Sequence, residues 1–260
     1  MTAIQIDLSG QVALITGGTQ GIGRGIAEAF LRAGARVIIC ARRPGADTVA
    51  MDGHVAEFRA CDVRDPDAGS ALVRSVAADH GRLDVLVNNA GGGPQVESAQ
   101  APRGLTEKLV QLNLLAPFYL SQAAHAVMSA QESGGSIINI ASVSAVRSSP
   151  YSAIYGASKA GLLNLTESLA MEWGPKIRVN AIIAGLVATE NARDHYGGEE
   201  GIAHVGAMLP LKRMGKPQDI ANACLYLASP LAAYVSGAHL AVHGGGEMPL
   251  FLDLAKRRDP

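Results

Sequence analysis

Val12-Ala13-Leu14-Ile15-Thr16-Gly17-Gly18-Thr19-Gln20-Gly21-Ile22-Gly23 is the stretch that decides the fold. Its first five residues are mostly apolar and rich in β-branched side chains, which reads as a buried strand, and Gly17-Gly18 ends it. From Gly21 the spacing becomes helical, with Ile22, Ile26, Ala29, Phe30 and Ala33 in register and Gly34 as the stop. Arg36-Val37-Ile38-Ile39-Cys40 then reads as a second strand. Strand, glycine loop, helix and strand open a parallel α/β sheet. Glycines in such a loop allow a tight turn and let backbone N–H groups approach a pyrophosphate, towards which the helix points its positive end. A plain turn has the same composition. The position after the first strand and before a helix is the context that favours a dinucleotide site.

The alternation continues outward from there. Further strands are expected near Ala56–Ala60, Leu83–Val87, Ser136–Ile140, Arg178–Ile182 and His239–Val242. Helical patterns lie near Asp67–Asp79, Thr106–Met128, Ser152–Trp173 and Pro217–Ala228. The strands are apolar almost throughout, as they are when helices cover both faces of a sheet. The fold class expected is therefore α/β, one doubly wound domain over residues 1–260 with a mostly parallel seven-stranded sheet. Between Arg42 and His54, Pro44, Gly45 and Gly53 leave room for about two helical turns, an abbreviated crossover. From Asn191 to Pro210 the helical periodicity is weak and glycines recur, which suggests an excursion from the sheet and a mobile substrate lid over about 190–210.

Bulk composition narrows the function. With 260 residues, 48% hydrophobic and 17% charged, the chain can bury a large core and does not read as disordered. A net charge of −1 offers no attraction to nucleic acid or to an anionic membrane. No apolar run is long enough to span a bilayer, and Met1–Gly10 lacks the basic start and apolar block of a secretory signal. Cys40, Cys61 and Cys224 are few, odd in number and far apart, with no metal-ligand spacing. They read as reduced thiols of a cytoplasmic protein, and no metal site is expected.

Candidate site residues follow from the strand ends. The second strand closes on Cys40-Ala41-Arg42-Arg43, where an acidic residue would accept from a ribose 2′-hydroxyl and mark NAD. Arg42, assisted by Arg43, instead suits a 2′-phosphate, so NADP is preferred and NAD stays possible; two solvated surface arginines are the plain alternative. Asp62-Val63 falls at the carboxyl edge of the sheet, within reach of an adenine, and Asn88-Asn89-Ala90-Gly91 ends the fourth strand along the same crevice, although alone it reads as a turn. Tyr155 and Lys159 sit four apart at the head of a helical segment and so share a face. A free Tyr ionises near ~10, and a neighbouring ammonium favours the phenolate, which makes the phenol a candidate general acid/base. Such pairs are common on solvated helices, so the spacing needs its surroundings.

Those surroundings supply a family. The chain resembles the short-chain dehydrogenase/reductase family through Thr16–Gly23, Asp62-Val63, Asn88–Gly91, Asn113 within Gln111-Leu112-Asn113-Leu114, Ser142 within Asn139-Ile140-Ala141-Ser142, Tyr155–Lys159, Arg178-Val179-Asn180-Ala181 and Val242–Gly245. The resemblance spans nearly the whole chain and implies roles. Tyr155 is the acid/base, Lys159 holds the nicotinamide ribose and lowers the Tyr155 pKa, Ser142 polarises the carbonyl, and Asn113 anchors a relay water. Gly17, Thr19, Gln20, Gly21, Ile22 and Gly23 bind the pyrophosphate. The cofactor-contacting set continues through Asn89, Ala90 and Gly91, and Gly185, Val187 and Thr189 hold the carboxamide side.

Two positions depart from the family pattern: Ala184-Gly185 stands for Pro-Gly, and Val242-His243-Gly244-Gly245 for Val-Asp-Gly-Gly. His243 reads as a surface or interface residue rather than a catalyst. The resemblance implies a small carbonyl or alcohol substrate and a homodimer or homotetramer, packed through the apolar helices around Asn113 and after Tyr155. The apolar tail Met248, Leu250, Phe251, Leu252 and Leu254 is expected on a neighbour or over the site. Competing readings are an NAD-dependent enzyme of the same type, a 3-oxoacyl thioester reductase, an epimerase or enoyl reductase on the same scaffold, and a non-catalytic dinucleotide-sensing regulator.

Overall fold

In the computed structural model, which describes residues 6–190, 192, 196–249 and 251, strands β1 (Val12–Thr16), β2 (Arg36–Ala41), β5 (Glu57–Ala60), β6 (Val85–Asn88), β7 (Gly135–Ser142), β8 (Ile177–Ala184) and β9 (His239–Val242) form one parallel sheet. Their order is β5-β2-β1-β6-β7-β8-β9. The order reverses beside β1, which pairs with β2 on one edge and β6 on the other. A crevice opens at such a switch point, at the carboxyl ends of the strands. The expected seven-stranded parallel sheet is therefore present. Asn191 and His195 of the expected lid, and Leu250, Leu252 and Leu254 of the apolar tail, lie outside the described residues.

Alternate residues of each strand feed opposite faces, which is why the strands read as unbroken apolar runs. Ala13 and Ile15 of β1 pack with Ile26 and Phe30 of helix α1 (Gly21–Arg32) and with Ile220, Cys224 and Leu227 of helix α7 (Pro217–Ala228). Val12 and Leu14 face the other way. They meet Leu72, Val73 and Val76 of helix α2 (Pro66–His80), Leu120 and Ala124 of helix α4 (Ala116–Met128) and Leu169 of helix α5 (Ala153–Trp173). Leu14, Ile15, Ile26, Phe30 and Leu120 are essentially buried, and each such side chain contributes about 1.5–3 kcal/mol relative to exposure. The three cysteines are buried and free, and burial pushes the Cys40 thiol up to about 12.

Local chemistry sets the helix ends. Asp65 caps α2, its carboxylate accepting from Asp67 N and Ala68 N, with Pro66 at the first position and Gly81 left-handed at the far end. Helix α1 has no side-chain cap.

Three expectations change. The 42–54 crossover holds no helix; it forms a small antiparallel ladder of β3 (Ala50–Met51) on β4 (His54–Val55), turned by Asp52 and Gly53 at positive φ. The expected helix 106–128 is not one α-helix. Helix α3 (Arg103–Val110) passes into a π-helical turn, Gln111–Leu115, before α4 begins. Finally, Gly198–Met208 is helical (α6) although its periodicity is weak, because Gly206 is the only fully buried residue along it and little apolar patterning is required.

Candidate active site

A cleft of about 520 Å³ lies at the carboxyl ends of the strands, a size that suits a small-molecule or cofactor site. One end is walled by the glycine loop: Gly17, Thr19, Gln20, Gly21, Ile22 and Gly23 all line it. The loop is held from below by Thr16, the last residue of β1. Its hydroxyl accepts from Asn89 N at 3.0 Å and Ala90 N at 2.9 Å, and Asn89 Nδ2 donates to Thr16 O at 2.8 Å. The ends of β1 and β6 are thereby locked together. Gly23 is required by close approach, since a Cβ there would lie 2.2 Å from Gly17 O.

The loop already holds an anion. The Gly21 N–H, first of the uncapped α1, donates to Glu190 Oε2 at 3.0 Å. This carboxylate oxygen stands in for an anionic oxygen of a pyrophosphate, and helix N-termini attract both. The residues present therefore fit a dinucleotide.

Arg42, Asp62 and Val63 line the same cleft. Arg43 is exposed and is not among the wall residues. Arg64 is a wall residue that the sequence reading missed. Its guanidinium engages both Asp62 oxygens, and with Arg42 nearby it holds the Asp62 carboxyl below its usual range. The signal available was the Asp62-x-Arg64 spacing just past a strand, where two side chains can fold onto each other. Gln111 Nε2 donates to Arg64 O at 2.8 Å, tying this loop to the π-helical turn.

At the other end, Ser142 terminates β7 and Tyr155 lies in the first turn of α5. Both line the cleft with Lys159, Asn89, Ala90, Gly91, Gly185 and Thr189. Lys159 is 2% exposed, donates to Ile140 O at 2.8 Å, and lies 5.9 Å from the Tyr155 ring centroid. Asn113 is fully buried behind this wall rather than in it. Its Oδ1 accepts from Gly92 N at 2.9 Å, and its Nδ2 donates to Gly92 O and Leu109 O, each at 3.0 Å. Asn113 thus lies inside the π-helical turn, Gln111–Leu115, and ties it to the Gly92 backbone. Val187 does not line the cleft; it bridges to Gly215.

Burial dominates the electrostatics of the pair. Burial holds the Tyr155 phenol above its ordinary range, while hydrogen bonding with Ser142 pulls the other way. Burial pushes Lys159 itself down to about 8, because an ammonium without a counter-ion is costly in a dry site. His243 lies away from this cleft. It is half-buried within the chain, its Nδ1 buried without a partner, against a second cavity of about 340 Å³ that the Arg213–Asp219 ion pair shares. Gly185 packs on it: a Cβ there would lie 2.6 Å from His243 Cα.

A parallel doubly wound sheet, an anion seat on its first helix and a Ser–Tyr–Lys cluster in one cleft define a dinucleotide-dependent oxidoreductase. The family model described as Enoyl-(Acyl carrier protein) reductase matches residues 17–247. The chain is 37% identical to L-rhamnose 1-dehydrogenase (NAD(P)(+)) of Azotobacter vinelandii, across 94% of this chain and 98% of that protein. It is 36% identical to 7alpha-hydroxysteroid dehydrogenase of Clostridium sardiniense, across 92% and 94%. Among solved structures it superposes at a TM-score of 0.85 and 35% identity on a provisionally assigned NAD(P)-dependent gluconate 5-dehydrogenase of Beutenbergia cavernae that holds NADP at low occupancy, across 93% and 98%. The chain belongs to the short-chain dehydrogenase/reductase family and is an NAD(P)-dependent oxidoreductase.

Proposed function

We propose that the chain interconverts a secondary alcohol and a ketone with NADP(H) as the preferred cofactor and Tyr155 as the general acid/base. The observation that carries this reading is the convergence of Ser142, Tyr155 and Lys159 on the cleft that the glycine loop and Arg42 also line. When bound, the nicotinamide supplies or accepts the hydride. Tyr155 gives its phenolic proton to the substrate oxygen in reduction and takes it back in oxidation. Ser142 donates to the same oxygen and fixes its position. Lys159 holds the ribose hydroxyls and feeds protons towards Tyr155.

Asn113 completes the relay. A Cβ placed on Gly91 would lie 2.8 Å from Asn113 Oδ1 and 3.0 Å from Lys159 Nζ. The two groups are thus within about 6 Å of each other, a span that one bridging water covers. At the adenosine end, Arg42 meets the 2′-phosphate, Arg43 stands outside it, and Asp62 and Val63 flank the adenine. Gly185, the Val187 backbone and Thr189 serve the carboxamide side. Residues 190–210 act as the substrate lid on a single domain spanning the chain. A homodimer or homotetramer in the cytoplasm completes the reading, supported by exposed Leu115 and Met171 on the helices around Asn113 and after Tyr155, and by three free cysteines. No described helix is long and apolar enough to cross a membrane.

The test is absorbance at ~340 nm, the reduced nicotinamide band, with NADPH and NADH over a panel of ketones and alcohols. NADPH is consumed one-for-one with an alcohol product, which also separates this reaction from enoyl reduction. Tyr155→Phe loses turnover by about 10²–10⁴ while still binding cofactor. Retained turnover in that variant removes the acid/base assignment. Equal binding of NADH and NADPH, unchanged in Arg42→Ala, removes the cofactor preference.

A further inference from the structure

Glu190 occupies the seat that the dinucleotide reading reserves for a phosphate. Its Oε2 accepts from the Gly21 N–H at 3.0 Å, joining the segment after β8 to the first turn of α1. Thr189, next to it, closes over the same residue: a Cβ on Gly21 would lie 3.3 Å from Thr189 Cγ2 and 3.8 Å from Glu190 Oε2. Gln20 provides no side-chain cap, and the loop residues around Gly21 face the cleft. Glu190 is on the exposed rim, so it can leave the seat for water without burying its charge.

We infer that Glu190 is an internal competitor for the pyrophosphate seat and sets how tightly the dinucleotide binds. The inference rests on the dinucleotide reading above. One N–H and one positive helix end cannot serve a carboxylate and a pyrophosphate together, and the two anions repel at that distance. Cofactor entry therefore requires Glu190 to swing out. Apparent affinity falls in proportion to the fraction of molecules with the seat free. A carboxylate at a helix N-terminus is favoured enough to leave about a sixth to two-fifths of the molecules open, a penalty of about 3–6-fold in Kd. Because Thr189 lines the same cleft, the swing also repositions a residue expected to hold the carboxamide side.

Titration calorimetry with NADPH and with NADH on the whole chain, Glu190→Ala and Glu190→Gln tests this. Glu190→Ala binds about 3–6-fold tighter, and Glu190→Gln shifts the same way by less, since the amide still accepts but carries no charge. Thermal unfolding without cofactor supplies the second readout. Losing an anion from the helix end lowers or leaves unchanged the midpoint of both variants, opposite in sign to their gain in affinity. A purely structural Glu190 would lower stability and affinity together, and that result overturns the inference, as does equal binding. If the unsubstituted chain binds neither nucleotide, the dinucleotide reading itself falls and this inference with it. If it binds and Glu190→Ala binds no tighter, only the role of Glu190 falls.

Discussion

Lys159→Met should uncouple stability from function. Lys159 carries an ammonium at 2% exposure with no carboxylate beside it, and its pKa stands at about 8 against an ordinary 10.5. That displacement corresponds to roughly 3 kcal/mol of disfavoured charge. Below about pH 8 both folded and unfolded states hold the proton, and the penalty is fully present. Between about pH 8 and 10.5 the unfolded chain keeps a proton that the folded chain has lost, so stability rises with pH across that window. From pH ~7 to ~9.5 the gain is about 2 kcal/mol for this one group. Methionine is similar in length and carries no charge, so its variant lacks the gain.

It also leaves Ile140 O without the donor that now lies 2.8 Å away, a loss of about 1–3 kcal/mol. At pH 7 the two effects oppose, and the variant should be as stable as the parent or more stable by up to ~2 kcal/mol. The decisive measurement is urea unfolding of both proteins across this pH range. Subtracting one curve from the other cancels the titrating groups remote from Lys159. A parent-minus-variant difference that stays flat between pH ~7 and ~9.5 would show that the buried ammonium costs nothing unusual, and the reasoning would be wrong.

Two further outcomes are expected. With burial holding the Tyr155 phenol above its ordinary range, the group is protonated at neutral pH and ready to donate, so ketone reduction is insensitive to its ionisation there. Alcohol oxidation needs the phenolate and climbs about tenfold per pH unit through pH ~9; a plateau already reached by pH ~8 would contradict this. Thr166→Val removes the hydroxyl to which Asn139 Nδ2 donates at 2.9 Å inside the core, and a buried donor left unpaired costs about 1–3 kcal/mol. Chemical denaturation measures that loss directly, and a change under ~0.5 kcal/mol would mean the amide finds another partner.

The fold was readable because its determinants are local. An apolar run flanked by glycines, then helical spacing, specifies a βαβ unit wherever it occurs, and seven such strands gave the sheet its parallel form. What was not readable depended on distant partners. The break at Gln111–Leu115 leaves no mark in the apolar pattern of the helix. Its residues are instead tied to distant partners, Asn113 to Gly92 and Gln111 to Arg64 O. The ladder at 50–55 needed knowledge that two short segments meet. The weak periodicity of 198–208 concealed a helix because that helix buries almost nothing. Tyr155 and Lys159 were legible as a pair, but the sign of their pKa shifts was not. Desolvation is a property of everything packed around a group, and α5 places Lys159 among buried Ser158, Leu162 and Leu163.

Asn88-Asn89-Ala90-Gly91 makes the same point within four residues. Read alone it is a turn, and all four residues look interchangeable with others common in turns. In the fold each does something different. Asn88 Nδ2 donates to Asn139 Oδ1 at 2.9 Å, and Asn139 continues to Thr166, so a buried amide chain joins β6, β7 and α5. Asn89 and Ala90 give their N–H groups to the Thr16 hydroxyl, which sets the height of the glycine loop against the end of β6. Gly91 is needed for space rather than for backbone angle, because a side chain there would fill the gap between Asn113 and Lys159. A turn demands none of these. Gly91→Ala, at a position with no positive φ, would therefore crowd Asn113 and Lys159 and obstruct the proposed relay, whereas Asn88→Ala would spare that gap and loosen the helix that carries Tyr155.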